Sequence, residues 1–535
     1  MADVLDDPRR VLRATSILAA AVWVPILLLW GPLPHTITFD DAWYYFGIAR
    51  NVADGSGSTF DGINATNGYH PLWLLICTVF YALGLDDLAA VRAILVAQLA
   101  LWAAALWVLA DTATRTGWPR LDERPDAAVT RRRCTAVVAV VWFLVAANPY
   151  VLKLFVNGME SGLVALLGAL VLALAVRTDG NPLERPVLLA VLLCLSFLAR
   201  TDAALWIVVL LAWLAVRNRG IDRRLVAVVG ALVVTGMGYL VSNLIIVGHP
   251  FQISGEVKRL PLDAGRAVIL LVFALIALGV VVAGLRAAGK PSRQFPRTKH
   301  WFASTAWFPA GLVLITAYDL VLTSEVYLWH FAPQVLWFAA TLLHVASDMA
   351  ESAVVERPLD DPTAARRPIA VSAVFIVPLL LGGLYQLRDF TDPELVSAQV
   401  GDRAAGEWID ANLPPEAVVG SFDAGALGYF AGRPVVNLDG LVNSYEWDEA
   451  RHEGTDATAA FLRDAGITHL ANHGDPVDGD DPAMRELADR LLGPGAGDRL
   501  VLVHRDDYPY AGVAGGVSGR RPYATFVYEV APEDR

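Results

Sequence analysis

Apolar runs broken by short polar stretches fill the first 387 residues, at 14–30, 88–109, 135–147, 163–176, 186–198, 203–216, 225–247, 267–285, 301–322, 326–346 and 368–385. Their length and apolarity predict about eleven transmembrane helices. Several are shorter than the ~20 residues a straight span needs, so their polar ends must enter the membrane region or face a cavity lined by protein. Arg9, Arg10 and Arg13 precede the first run much as they would in a secretory signal. No small-residue cleavage site follows and further runs do, so 14–30 is expected to be the first membrane helix.

One more apolar stretch, 71–84, decides the topology, because counting it as a span reverses the side of every later loop. Laid along the interface instead, it places loops 1–13, 111–134, 177–185, 217–224, 286–300 and 347–367 on one side. Those loops hold about 23 of the 30 basic residues that precede residue 387, so that side is expected to be cytoplasmic. The stretch around Asp40, the loops near Glu160, Arg200, Lys258 and Glu325, and the whole C-terminal region then face outward.

After residue 387 the pattern changes. Helical spacing at 404–412 and 458–464 alternates with extended patterns at 417–422, 434–438, 467–471, 500–504 and 525–530, which predicts a small α/β domain. The Gly/Asp/Pro-rich stretch 474–481 reads as a surface loop. The expected architecture is a polytopic all-α membrane domain over 1–387 followed by a soluble, extracytoplasmic α/β domain over 388–535.

Composition sharpens this division. At 55% hydrophobic, 18% charged and mean hydropathy +0.47 the chain is too apolar for an ordinary soluble protein, and 16 Trp with 15 Tyr suit interfacial anchoring. The formal charge of −12 is unevenly spread: from residue 387 onward there are 27 acidic and 12 basic residues, giving −15 there and +3 before it. No basic tract of the kind that binds nucleic acid occurs. Cys77, Cys134 and Cys194 lie in or beside apolar runs, which implies neither a disulfide framework nor a cysteine metal site.

The chemistry-bearing residues gather at the outer ends of the runs. Asp40 and Asp41 stand just after the first one and before Ala42-Trp43-Tyr44-Tyr45-Phe46-Gly47-Ile48-Ala49-Arg50, a helical pattern. A capping aspartate explains one of them. The pair suits a carboxylate that takes a hydroxyl proton, with a neighbour that orients it or binds a divalent cation. Lys153, Arg200, Lys258, Arg259 and Arg266 are cations on the side where cations are disfavoured, and a phosphate-bearing lipid would need such groups. Arg200 with Asp202, and Lys258 with Glu256, are also spaced to pair with each other. His70 precedes Pro71 at the start of the interfacial helix. Glu160 opens one membrane helix, where an acid is also a natural cap, and His330 lies at the outer end of another. Gly55-Ser56-Gly57 reads as a turn, since no strand precedes it and no Lys-Ser/Thr follows.

Taken together, Phe39-Asp40-Asp41-Ala42-Trp43-Tyr44, Ala49-Arg50-Asn51, Thr66-Asn67-Gly68-Tyr69-His70-Pro71-Leu72, Gly158-Met159-Glu160-Ser161, Ala199-Arg200-Thr201-Asp202 and Asp423-Ala424-Gly425-Ala426-Leu427-Gly428-Tyr429-Phe430 resemble the GT-C glycosyltransferases. Within that superfamily the chain is similar to the relatives of mycobacterial arabinofuranosyltransferases, which have Glu-Gly-Tyr-Thr-Asn-Pro where this chain has Thr-Asn-Gly-Tyr-His-Pro. More distantly it resembles protein O-mannosyltransferases and lipid A aminoarabinose transferases. The resemblance implies a plasma-membrane enzyme that moves a sugar, with inversion, from a polyprenyl-phosphate donor to an extracytoplasmic glycan or lipid acceptor. It implies Asp40 as the catalytic base with Asp41 beside it, Tyr69, His70, Arg200 and Lys258 toward the donor, and Glu160, Asp202 and His330 on the acceptor side or behind the reacting groups. No cofactor is called for, and a divalent cation stays open. The competing class is a transporter or flippase of lipid-linked sugars or small molecules, which would carry inverted repeats and ionisable residues near span centres. Neither pattern is evident in the sequence.

Overall fold

A computed structural model describes residues 7–31, 33–85, 87–115, 127–288, 295–355, 380–387, 398–474, 482–514 and 517–532, with 118, 121 and 377. The chain divides by internal contacts into two units. One comprises Met1–Trp30, Leu95–Met237 and Arg259–Leu387; the other comprises Gly31–Ile94, Gly238–Lys258 and Arg388–Arg535. The C-terminal region thus shares its unit with two segments from the apolar part of the chain. Most of the expected run 368–385 and all of the expected loop 474–481 except Gly474 lie outside the described residues.

The first unit is helical. Among the described residues four helices are long and apolar enough to cross a membrane, Pro8–Leu29, Asp87–Ala113, Arg223–Val247 and Ala264–Ala287. Two bent pairs bring the number to six if each counts as one span: Ala127–Ala146 with Pro149–Phe155 at 59°, and Pro296–Thr305 with Trp307–Leu322 at 57°. Both bends have a chemical cause. Asn148 leaves the first helix and caps the next through the Tyr150 and Val151 amides. In the second pair, Pro309 has no N–H to give the Thr305 carbonyl. The runs expected at 163–176 and 186–198 form the helices Ser161–Arg177 and Pro186–Ala199, which are apolar but shorter.

Buried polar side chains lock these helices together. Gln98, fully buried, accepts from the Asn157 and Gly158 amides at 3.1 and 2.9 Å and donates to the Met159 carbonyl. It thereby shapes the turn that presents Glu160. Gly162 allows the approach, because a Cβ there would lie 2.7 Å from Gln98 Cγ. Arg297, with Asp348 at 3.2 Å and Glu351 at 2.7 Å, forms a buried ion group against the Trp118 ring.

The second unit joins the Asp40–Ala53 and Pro71–Ala82 helices to a five-stranded sheet of order β2-β1-β3-β5-β4, where β1 is Val419–Ser421, β2 Val435–Asn437, β3 His469–Gly474, β4 Leu500–Ala514 and β5 Val517–Val530. β1 pairs in parallel with both β2 and β3, while β5 runs antiparallel to β3 and β4. All five extended patterns read from the sequence fall on these strands. The helices Thr455–Asp464 and Pro482–Leu492 bury Ala459 and Leu462, and Met484, Ala488 and Leu491, at three- and four-residue spacing. Leu462, Met484, Ala488 and Leu491 join Val436, Leu470, Trp447 and Phe526 in one core.

Replacing Gln98 by Leu would strand the Asn157 and Gly158 amides in the interior, at a cost of about 2–4 kcal/mol. Thermal unfolding of the detergent-solubilised protein should show a lowered midpoint; an unchanged midpoint would mean those amides find other partners.

Candidate functional site

The second unit brings the motif at Asp40 against the motif at Asp423. Phe39 is the N-cap of the Asp40–Ala53 helix and makes no side-chain cap bond, so Asp40 does not cap its own helix. Its carboxylate reaches instead to the start of the Gly425–Phe430 helix, where Oδ2 accepts from the Gly425 amide and Oδ1 from the Ala426 amide, each at 2.9 Å. Only glycine fits at 425, since a Cβ there would stand 2.4 Å from the Asp40 carbonyl oxygen. Tyr44, one turn on, accepts from the Ala424 amide and from Asn437 Nδ2, both at 3.0 Å. Trp43 packs on Tyr429 with ring centroids 5.2 Å apart.

Asp41 is partly exposed, with Oδ2 3.8 Å from Lys258 Nζ. Around this pair the sheet contributes three more ionisable groups. Asp423 follows β1, Asp439 follows β2 and His473 lies near the end of β3, so all three mark the carboxyl ends of mutually parallel strands. In open α/β sheets that edge is where ligands bind. The Asp423 amide donates to Asp439 Oδ2 at 2.8 Å, and the Asp423 carboxylate lies 3.2 Å from His473 Nε2. His473 Nδ1 is 3.1 Å from Asp402, a buried residue of the Ala398–Asn412 helix.

These environments drive the acids apart. Burial first, then the charges of Asp402 and Asp423, push Asp40 well above the usual carboxylate range against the pull of its two amides. Burial and the Asp423 charge push Asp439 up to about 6. The His473 hydrogen bond holds Asp423 below its ordinary value. Burial disfavours the charged form of His473, yet Asp402 and Asp423 outweigh it and raise the imidazole well above its usual range.

Tyr69 and His70 serve this unit locally. Tyr69 shares a hydrogen bond with Ser58 at 2.7 Å, and the His70 amide donates to the Tyr45 hydroxyl at 3.0 Å. The intervening loop turns at Gly55, Gly57 and Gly62, with φ of 81°, 91° and 77°, so Gly55-Ser56-Gly57 is a turn.

The remaining candidates belong to the first unit. Arg200 donates from Nη1 to Glu160 at 2.8 Å and from Nη2 to Asp202 at 2.7 Å, with Nε also on Asp202 at 3.1 Å. Glu160 is fully buried and makes no cap bond. The guanidinium is thus held by two carboxylates of its own chain. His330 stands 3.8 Å from Asp319, whose carboxylate is buried. Arg200, Asp202, Trp206, Phe308 and His330 line part of a small pocket. Among the described residues no group of three or more His, Cys, Asp or Glu side chains is arranged to hold a metal ion.

One family model, described as a domain of unknown function (DUF8728), matches residues 392–521, which take in Asp402, Asp423, Asp439 and His473. No curated protein matches the chain. Among solved structures, the crystal structure of ArnT from Cupriavidus metallidurans bound to undecaprenyl phosphate aligns with 94% of this chain and 97% of that one, at 13% identity and a TM-score of 0.42.

Sequence reasoning did not single out Asp402, Asp439 or His473, and it quoted Asp423 only as part of a motif. The extended patterns ending just before 423 and 439 carried the usable signal, because parallel strands put their following residues on one edge.

Two outcomes follow from these charges. Arg200→Ala would leave two carboxylates without their cation at a cost of about 3–5 kcal/mol, and Arg200→Lys should cost less; unfolding midpoints in detergent measure both. Asp439, raised from 3.8 to about 6, binds its proton more tightly folded than unfolded. Its contribution therefore stabilises the protein at low pH and is lost as pH rises through that window. Asp439→Asn should remove this part of the stability–pH curve.

Proposed function

We propose that the protein is a membrane glycosyltransferase of GT-C type, moving a sugar with inversion from a polyprenyl-phosphate donor to a hydroxyl of an extracytoplasmic glycan or lipid. The observation that carries the reading is the pair of adjacent carboxylates in the second unit, one gripped by two backbone amides and the other 3.8 Å from a lysine ammonium. Such a site supplies both a proton acceptor and a cation for a departing phosphate. The motifs at 39–44, 66–72 and 423–430 support the same assignment, and the long apolar helices suit a lipid-borne donor.

In this reading the acceptor hydroxyl gives its proton to Asp40. A carboxylate has about four acceptor positions and the two amides use two, so the base keeps room for that proton. Its raised pKa makes it a stronger proton acceptor than an exposed aspartate. The acceptor oxygen attacks the anomeric carbon from the face opposite the phosphate. The carbon–oxygen bond to the phosphate breaks, its electron pair goes to the phosphate oxygen, and the Lys258 ammonium steadies that charge. Asp41 holds Lys258 in place. Arg200, paired with Glu160 and Asp202, is assigned to scaffolding, and Lys258, beside Asp41, is assigned to the phosphate. We place the catalytic face and the α/β region outside the plasma membrane with the N-terminus in the cytoplasm, following the distribution of basic residues.

Transfer from radiolabelled polyprenyl-phosphate sugars by membranes containing the protein tests this. Asp40→Asn should lower the rate by roughly 10²–10⁴-fold, and Lys258→Ala by about 10²–10³-fold. Wild-type rates in Asp40→Asn would rule out the proposed base; no transfer by the wild type from any such donor would rule out the reaction.

A further inference from the structure

We propose that His473, bridging buried Asp402 to exposed Asp423, is a positioning residue that fixes the 423–426 turn and, through the Gly425 and Ala426 amides, the carboxylate of Asp40. Asp423 is held at both ends: its amide donates to Asp439 at 2.8 Å, and its carboxylate lies 3.2 Å from His473 Nε2. Its backbone sits at φ 43°, a left-handed turn conformation that aspartate tolerates better than most non-glycine residues. Three residues further along at most, the chain supplies the two amides that grip Asp40. A shift at Asp423 therefore moves the donors on which Asp40 depends.

A purely structural role explains less. A buried Asp–His pair is expensive to desolvate, and apolar residues would pack the sheet edge as well. His473 is a cation shared by two carboxylates, and those two carboxylates are the ones whose charges act on Asp40. The ionisable groups facing Asp40 are Asp41 and Tyr44 of its own helix, Asp402 of the Ala398–Asn412 helix and Asp423 of the turn. Asp439 follows β2 next to Asp423, and Lys258 stands beside Asp41. His473 touches both Asp402 and Asp423. Through it the C-terminal region holds the acid of a distant helix in place and sets how readily that acid ionises.

The inference rests on reading Asp40 as the base, but its test needs no sugar transfer. Full-length protein in lipid nanodiscs is titrated while the infrared C=O band of protonated carboxyl groups is recorded, and the Asp40 contribution is identified by its loss in Asp40→Asn. His473→Gln removes the shared cation and should raise the Asp40 midpoint by about one pH unit or more. Asp423→Asn removes a like charge and should lower it, which keeps the idea testable if His473→Gln does not fold. An unmoved midpoint in either folded variant, or no carboxyl band lost in Asp40→Asn, overturns the proposal. With a polyprenyl-phosphate sugar as donor, His473→Gln should lower kcat and leave the donor KM unchanged; a raised KM with unchanged kcat would also overturn it. Midpoint shifts in a protein that transfers no sugar would sink the transferase reading alone.

Discussion

An ionised or ionisable carboxylate taken out of water must be given hydrogen bonds in return, and in this protein Asp40 finds them on a segment 385 residues away in sequence. That requirement accounts for much of what surrounds it. Gly425 must lack a side chain so that the amide can come close. The Tyr44 hydroxyl takes the neighbouring Ala424 amide, and Asn437 at the end of β2 donates to the same hydroxyl. Phe60 packs where Gly47 and Gly428 each leave room for it. The sheet edge and the Asp40–Ala53 helix are built to one another's shape.

The same rule applied to cations leads to a different result in the first unit. Arg200 and Arg297 are each held by two carboxylates, so their charge is already matched inside the protein. Groups in that state organise helices and have little left with which to attract an anion. Lys258 lies 3.8 Å from the partly exposed Asp41 and its charge also acts on Asp423; in the proposed reaction it is the cation that meets phosphate.

Acids whose environments push their affinities for protons in opposite directions divide labour well. Asp423 is held ionised by His473 and Asp40 is pushed upward by burial and by its neighbours; in the proposed reaction the first is a fixed anchor and the second takes the proton. The division depends on one histidine standing between two aspartates.

By itself the sequence determined the helical apolar region, the acidic α/β region, the extended patterns at 417–422 and 434–438, and the paired aspartates at the start of a helix, because hydrophobic period and charge are local properties of the chain. It also marked both motifs that meet in the second unit. It left open whether Asp40 caps its own helix or another, whether Arg200 is paired, and which of the scattered acids and histidines converge. Those outcomes depend on partners tens to hundreds of residues distant, such as Asp402, Asp423 and His473, and on the register that aligns three parallel strand ends. Only the tertiary structure decides them, since a side chain's charge state and hydrogen bonds are set by what folding brings beside it.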